Sequence, residues 1–484
     1  MDNTLKKNYI YNLLSQLITI IIPVITTPYI SRVLGAKAIG DFGYTTGIVS
    51  YFCMIAMLGT ANYAQREIAK KHESINEVSS IFFEILLIRI LMILFVFLLY
   101  LFFLNIPSLQ QYKILFSVQI ISFVAWGFDI SWFYQGMELF KVTAKRNSIV
   151  KILSTLMIFF LVKKESDLVM YTVIYCVSDL IGNLTMWPYL KNNIIKIKIR
   201  KLHYIRHMKG VWELFIPNIA IQLYTVFDKT MLGSLVDTLQ VGYYSQAEKI
   251  IKIILVAISS LFTVLLPRFA FLSDKKIDGK ANIYFISAIK YTYFLAIPLT
   301  IGCISVSNYF VPVFFGPGYD LVIPLMKILS LLFIVMSIEK LLGTILIAYN
   351  KQNIYTLSVV IASIVNIIFN AIFILIFKLD AVGVACASII AELVAMLIQL
   401  FKLPNCFRKS NIITLSKKYV IAGLGMFLTL MIVRLLPVGN LFKILISIFF
   451  GSLLYLYFLL KMKDDMVTTI IYFIKKEIKS RLLV

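Results

Sequence analysis

Long apolar runs broken by short polar stretches alternate along the whole chain. A helix that crosses a bilayer needs about 20 mostly apolar residues, and about 14 runs reach that length. They lie near residues 8–31, 40–65, 79–104, 111–136, 146–163, 168–190, 212–236, 243–267, 283–311, 320–349, 353–378, 381–402, 417–436 and 440–461, each boundary placed to within about four residues. The pattern predicts an all-α, polytopic membrane protein. Its longest polar break, Lys191–Gly210 (KNNIIKIKIRKLHYIRHMKG), holds seven Lys or Arg and no acid. Such a segment cannot cross a bilayer and reads as fixed on the cytoplasmic face. From Ile195 to Arg200 isoleucine alternates with Lys or Arg at period two, which suits an extended strip on anionic head groups better than a helix. A plain stop-transfer linker is the blander reading.

The break leaves six runs before it and eight after, so the first and seventh run in the same direction. Internal echoes support a duplication. Leu34-Gly35 is followed by Gly43-Tyr44, and Leu232-Gly233 by Gly242-Tyr243, each at an out-facing hairpin; Ser148–Ile152 is echoed by Ser363–Ile367. The expected plan is two pseudo-symmetric six-helix lobes, 1–190 and 212–403, joined by a basic cytoplasmic linker over 191–211. Two additional transmembrane helices occupy 404–463. In the tail, 464–484, Val467, Ile470, Ile471, Ile474 and Ile478 share one helical face, as in an amphipathic helix lying in the cytoplasmic interface. Two parallel lobes of this kind make a transporter plan with a cavity between them.

Composition agrees with this class. The chain is 60% hydrophobic and only 15% charged, with mean hydropathy +0.89, far from the soluble norm of about 25% charged. The net charge of +23 could suggest nucleic acid, but the basic residues sit in short loops between spans, and nucleic acid is discounted. With the N-terminus inside, roughly 31 Lys and Arg fall in cytoplasmic segments against roughly 7 outside. Both termini are then cytoplasmic. Lys6 and Lys7 precede an apolar run with no small-residue cleavage site, so Ile10–Ile30 reads as a retained span. The five cysteines lack paired spacing, and His72, His203 and His207 lie in basic segments, so neither a metal nor any cofactor is expected. No phosphate-cradling loop, ATP-binding domain or Ser/His/Asp set is present, and the chain does not read as an enzyme.

Polar residues at membrane depth normally face a cavity or a partner. Asn12, Gln16 and Thr19 share one face of the first span, ahead of Pro23 and Pro28; Asn218, Gln222, Thr225 and Lys229 share one face of the seventh. Asn12, Gln16, Asn218 and Gln222 are candidates for lining a substrate path, with interhelical hydrogen bonding as the alternative. Charges nearer the outer side are Arg32, Asp41, Asp228, Lys229, Glu248, Lys249 and Lys252; Asp228 and Glu248 are set against Lys229 and Lys249 as neutralising partners. Glu84 with Arg89, and Glu339 with Lys340, read as local compensation. Basic residues exceed acids, so a cavity between the lobes is expected to be net positive and to attract an anion such as a diphosphate. Asp129, Asp179 and Glu392 are candidates for binding a coupling H+ or Na+, against a structural role.

The most specific stretch is Trp126–Gly136 (WGFDISWFYQG), at the inner end of the fourth span, where Asp129, Trp132, Phe133 and Gly136 share a helical face. Its bland reading is an aromatic anchor at the interface. Together with PYISRVLGAKAIGDFGY (Pro28–Tyr44), GTANYAQREIAK (Gly59–Lys70), DKTMLG (Asp228–Gly233) and GYYSQAEK (Gly242–Lys249), it resembles the polysaccharide flippase family of the multidrug/oligosaccharidyl-lipid/polysaccharide exporter superfamily. The resemblance covers essentially the whole chain. It implies a multi-pass protein of the bacterial cell membrane that moves polyprenyl-diphosphate-linked oligosaccharide repeat units to the outer leaflet by alternating access, for capsule, O-antigen or cell-wall polysaccharide. Membrane lipids, a polysaccharide polymerase and assembly proteins are the implied partners. Arg32, Lys229 and Lys249 are the anion-contacting positions it implies. An inside-negative potential favours export of anionic charge by roughly 2.3 kcal/mol per charge per 100 mV. The competing readings are a cation-coupled multidrug antiporter of the same superfamily, which wants an acidic cavity, and a membrane-embedded polysaccharide polymerase, which wants a large external loop or catalytic domain.

Overall fold

The computed structural model describes residues 3–195, 197, 203–407 and 411–468; within these, the side chains of residues 3–17, 19, 192, 214, 216–225, 263 and 411 fall outside the described set. Among the described residues there is no strand. The helices are α1 Asn3–Met57, α2 Thr60–Lys71, α3 Ile75–Phe103, α4 Lys113–Gly127, α5 Ser131–Gly136, α6 Phe140–Leu161, α7 Leu168–Leu184, α8 Ile205–Leu235, α9 Thr238–Asp274, α10 Asp278–Phe314, α11 Val322–Leu329, α12 Leu332–Ala348, α13 Gln352–Ala371, α14 Asp380–Lys402, α15 Asn411–Leu435 and α16 Asn440–Lys461. Eleven stretches among the described residues are long and apolar enough to cross a membrane, against the 14 expected. One of the eleven, Ile20–Lys71, runs through a break at Gly35, whose φ of 76° lies in the left-handed region that a side chain disfavours. Neither α6, which carries Lys141, Lys145, Arg146 and Lys151, nor α8 is among them.

The membrane-length helices are apolar on nearly every side, as a bilayer requires. In α16, Ile444, Ser447, Gly451, Tyr455 and Leu459 form one buried stripe, while Leu441, Phe442, Leu445, Ile448 and Phe449 are exposed on the same helix. In α3, Leu94, Phe95, Leu98 and Phe102 are exposed in the same way. These faces are stable only against lipid. The protein is a multi-pass membrane protein.

The chain packs as two compact units, Met1–Gly242 and Tyr243–Val484. In the first, α1 packs on α6 and α8, and α4 on α7. The start of α9 meets α1 through small residues: a Cβ on Gly40 would strike the carbonyl of Thr238, and one on Gly242 the carbonyl of Ala36. The contact is reciprocal, with a four-residue spacing on both sides, and brings two backbones together as small-xxx-small pairs do. Gly233 in turn lies under the Tyr44 ring, and Tyr44 Oη lies 3.1 Å from Ser234 Oγ. The second Leu-Gly pair thus packs against the first Gly-Tyr pair. Gly40→Val should cost about 1–3 kcal/mol through forced backbone separation, read as a lowered thermal midpoint of the purified protein.

In the second unit, α10 packs on α12, α15 and α16, and α13 on α14. Phe269, Phe285, Leu341, Ile345 and Phe407 are buried at its centre.

One expectation about the polar segments changes. The helix α8 starts at Ile205, inside the stretch read as a linker, because its first turn finds an acid to dock on, as described below. Most of the alternating strip (Lys196 and Lys198–Arg200) and the tail beyond Thr468 lie outside the described residues.

Candidate functional site

Breaks in the helices and buried charges mark where chemistry concentrates. At the Gly35 break, Lys37 bonds Asp41 at 3.1 Å, and Thr238 Oγ bonds both of them. Arg32 is exposed three residues before the break. On α8, Asp228 is buried and Lys229 half-buried, and Tyr51 Oη lies 2.9 Å from Thr230 Oγ1 beside them. Lys249 is half-buried on α9 in the second unit, where Glu248 bonds Lys252 one turn on at 2.6 Å. Asn12 and Gln16 lie on α1, and Asn218 and Gln222 on α8, but their side chains are outside the described residues.

The Trp126–Gly136 stretch departs from its sequence reading. The helix stops at Gly127 and restarts at Ser131, so Asp129 sits in the break and shares no helical face with Trp132, Phe133 and Gly136. Its carboxylate accepts the Ser131 amide at 2.9 Å, which starts the short helix. Nor do the aromatics anchor an interface. Trp132, Phe133 and Tyr134 are all buried, Trp132 stacks on Phe82, and Gly136 presses on the Gln65 carbonyl and Ile68. A break in a membrane helix frees carbonyls that lipid cannot satisfy. Arg89 takes them: its guanidinium donates to Asp129 O at 2.5 Å and Trp126 O at 3.4 Å, and lies 5.8 Å from the Trp132 ring centre. Arg89 is 1% exposed.

Glu84 therefore is not the partner of Arg89. It bonds Arg206 Nη2 at 2.7 Å, His207 Nε2 at 2.5 Å and the His203 amide at 2.8 Å, and Tyr63 Oη lies 2.9 Å from the other His207 nitrogen. The wholly buried Glu84 is the acid that anchors the first turn of α8. Asp179, on α7, lies within electrostatic reach of Arg146 and Lys151 on α6 and of Asp129. Arg146 also bonds Asn183, whose amide reaches the Ala125 carbonyl at 2.6 Å. The sequence pattern starts the fifth span at residue 146, whereas α6 begins at Phe140 and so carries Lys141, Lys145 and Arg146 on its own first turns.

In the second unit, Glu392 (7% exposed) on α14 and Glu339 (6%) on α12 are buried on helices that pack together, within electrostatic reach of each other. Gln399, seven residues after Glu392 and so on the same face of α14, donates to Glu339 Oε1 at 2.5 Å. Glu339 forms no ion pair with Lys340 among the described residues, since adjacent helical side chains point apart. A separate cavity of about 460 Å³ is almost wholly apolar and is lined by Phe294, Pro298, Phe310, Met426, Tyr455 and their neighbours. No group of three or more His, Cys, Asp or Glu is poised to hold a metal among the described residues.

The profile of one family, described as "Polysaccharide biosynthesis protein", matches residues 5–273, more than half of the chain. The chain belongs to that family. It is 23% identical over 401 residues to a Shigella dysenteriae protein named "Putative O-antigen transporter", covering 82% of this chain and 99% of that one. A protein of the same name from Escherichia coli K12 is 22% identical over 374 residues, 75% of this chain and 89% of that one. Among solved structures, the "Lipid II flippase MurJ" in an inward closed conformation superposes with a TM-score of 0.76 at 18% identity, over 95% of this chain and all of the other. An inward-facing multidrug resistance MATE family transporter superposes at 0.59 and 13% identity, over 82% of this chain and 99% of the other. These superpositions establish a transporter fold, shared by flippases and multidrug exporters alike.

Proposed function

We propose that this protein is a flippase for polyprenyl-diphosphate-linked oligosaccharide repeat units, carrying them from the cytoplasmic to the outer leaflet by alternating access. The observation that carries the reading is the family match over residues 5–273, joined to relatives named as O-antigen transporters that align over nearly their whole length. The chemistry of the chain supports it. A diphosphate needs cations and donors at membrane depth, and Lys229, Lys249, Arg146 and Lys151 are half-buried bases on helices. A prenyl tail needs an apolar groove, and the cavity beside Phe294 and Tyr455 has that character. Arg32, Lys229 and Lys249 contact the anion in this reading, and Asn12, Gln16, Asn218 and Gln222 line the hydrated path. The two repeats lie in lobes 1–190 and 212–403, both termini are cytoplasmic, and the product passes to a polysaccharide polymerase and its assembly proteins.

The test is a quenching assay in proteoliposomes with a fluorescently labelled polyprenyl-diphosphate oligosaccharide. Protein-dependent loss of the label's protection from an external quencher supports the reading. Absence of movement, with gradient-driven efflux of cationic dyes in its place, sinks it and makes the protein a multidrug antiporter.

A further inference from the structure

The first unit contains a polar cavity that the flippase reading does not use. It measures about 510 Å³, and all of its walls belong to Met1–Gly242. The end of α2 contributes Glu67 and Lys71, the first turns of α3 contribute Glu77 and Ser80, and the first turn of α8 contributes Arg206 and His207. The floor is tied together by hydrogen bonds. Wholly buried Glu84 accepts from Ser80 Oγ at 3.1 Å and from Arg206 at 2.7 Å. His207, 4% exposed, lies between Glu84 at 2.5 Å and the Tyr63 hydroxyl at 2.9 Å. The outer wall is of a different kind. Lys71 pairs with Glu77 at 2.8 Å and Glu67 with Lys70 at 2.9 Å, but the two lysine side chains are 53% and 56% exposed. Ion pairs this open to water contribute little, so a ligand's own charges can take their place. Arg206 is also 53% exposed on its side chain, and a guanidinium has five N–H donors, more than Glu84 engages.

Two cations and two carboxylates therefore stand around one space. A purely anionic ligand would meet Glu67 and Glu77, and a purely cationic one would meet Lys71 and Arg206. A ligand that carries both signs finds a partner for each. The cavity also leads into lipid. Glu77, Ser80 and Glu84 follow one another at helical spacing, and the same face of α3 continues as Leu87, Leu91, Leu94 and Leu98. Leu91, Leu94 and Leu98 are exposed on this membrane-length helix.

We infer that this cavity binds a membrane phospholipid whose head group joins a phosphate to a primary ammonium, as in phosphatidylethanolamine. Arg206 and Lys71 hold the phosphate, Glu67 and Glu77 hold the ammonium, and an acyl chain lies along the leucine stripe of α3. One bound head group then bridges α2, α3 and the start of α8. The site does not depend on what the protein transports.

The test is native mass spectrometry of the delipidated full-length protein, titrated with phosphatidylethanolamine, phosphatidylglycerol or phosphatidylcholine. The wild type should bind phosphatidylethanolamine about tenfold more tightly than either of the others, the effect of about one charge-assisted contact. Phosphatidylglycerol brings no ammonium to Glu67 and Glu77, and the quaternary ammonium of phosphatidylcholine has no N–H to donate. Lys71→Ala/Glu77→Ala should erase the preference. Both side chains are about half exposed, and an unchanged thermal midpoint without lipid shows that the double variant is folded. Glu67→Gln, which leaves the Lys71–Glu77 pair in place, should reduce the preference as well and serves if the double variant melts early. Equal binding of the three lipids by the wild type overturns the proposal, as does a preference kept in full by the variants. Displacement of the lipid by soluble phosphoethanolamine at equal concentration also overturns it, and makes the cavity a site for a free zwitterion.

Discussion

Lys229→Glu should reduce transbilayer movement of a labelled polyprenyl-diphosphate oligosaccharide about 100-fold, with the thermal midpoint of the protein nearly unchanged. Each charge-assisted hydrogen bond from an ammonium to a phosphate oxygen contributes about 1.5–3 kcal/mol. Reversing the charge removes that attraction and adds repulsion, and about 2.8 kcal/mol corresponds to the stated factor. Lys229 is half-buried on α8 beside the buried Asp228 and the Tyr51–Thr230 contact, so it is close to ordered protein yet still accessible. Lys229→Arg retains the charge and should retain most of the movement. Full movement in the Glu variant would make Lys229 an ion-pair partner of its neighbours and remove it from the substrate path.

Arg89→Leu should be among the most destabilising single substitutions in the first unit. It removes two hydrogen bonds from a charged donor, to the Asp129 and Trp126 carbonyls, contributing about 1.5–3 kcal/mol each at good geometry and less for the longer one. Those carbonyls are left with the Trp132 indole at 3.0 Å and the Asp129 amide at 3.2 Å. The expected loss is therefore roughly 2–6 kcal/mol, visible as a large drop in the thermal midpoint in detergent. Arg89→Lys should recover only part of it, since one ammonium cannot span both carbonyls as the guanidinium fork does. A variant with leucine that melts like the wild type would show that the break between α4 and α5 holds itself together through Phe82, Trp132 and Phe133 alone.

Much of the architecture was legible before any coordinates. Continuous apolar runs do not need tertiary information to become membrane helices, because lipid offers the backbone no other hydrogen-bond partner. The motif stretches were legible too, although as a resemblance and without their physical work. In the structure they hold the Gly35 break, the Gly40 and Gly242 backbone contacts, the Gly233–Tyr44 contact and the break ahead of Ser131. Pairings of charge were read poorly. Glu84 and Arg89 are five residues apart and seemed to compensate each other, yet Glu84 turns to Arg206 and His207 more than 120 residues away. Glu339 seemed paired with Lys340, yet it bonds Gln399, 60 residues on. Sequence proximity is a poor guide in a helix, where neighbours at i and i+1 point about 100° apart.

The sequence alone determined that this is an all-helical, multi-pass membrane protein of the polysaccharide family, since hydropathy and motif content are properties of residues in order. Only the tertiary structure decided which buried charges meet. It placed Arg89 on the carbonyls of a broken helix, Glu84 under the start of α8, and Glu339 beside Gln399. The reason is that an apolar span can be satisfied by any lipid. A buried charge has to find one particular partner, and helix packing chooses which one comes within reach.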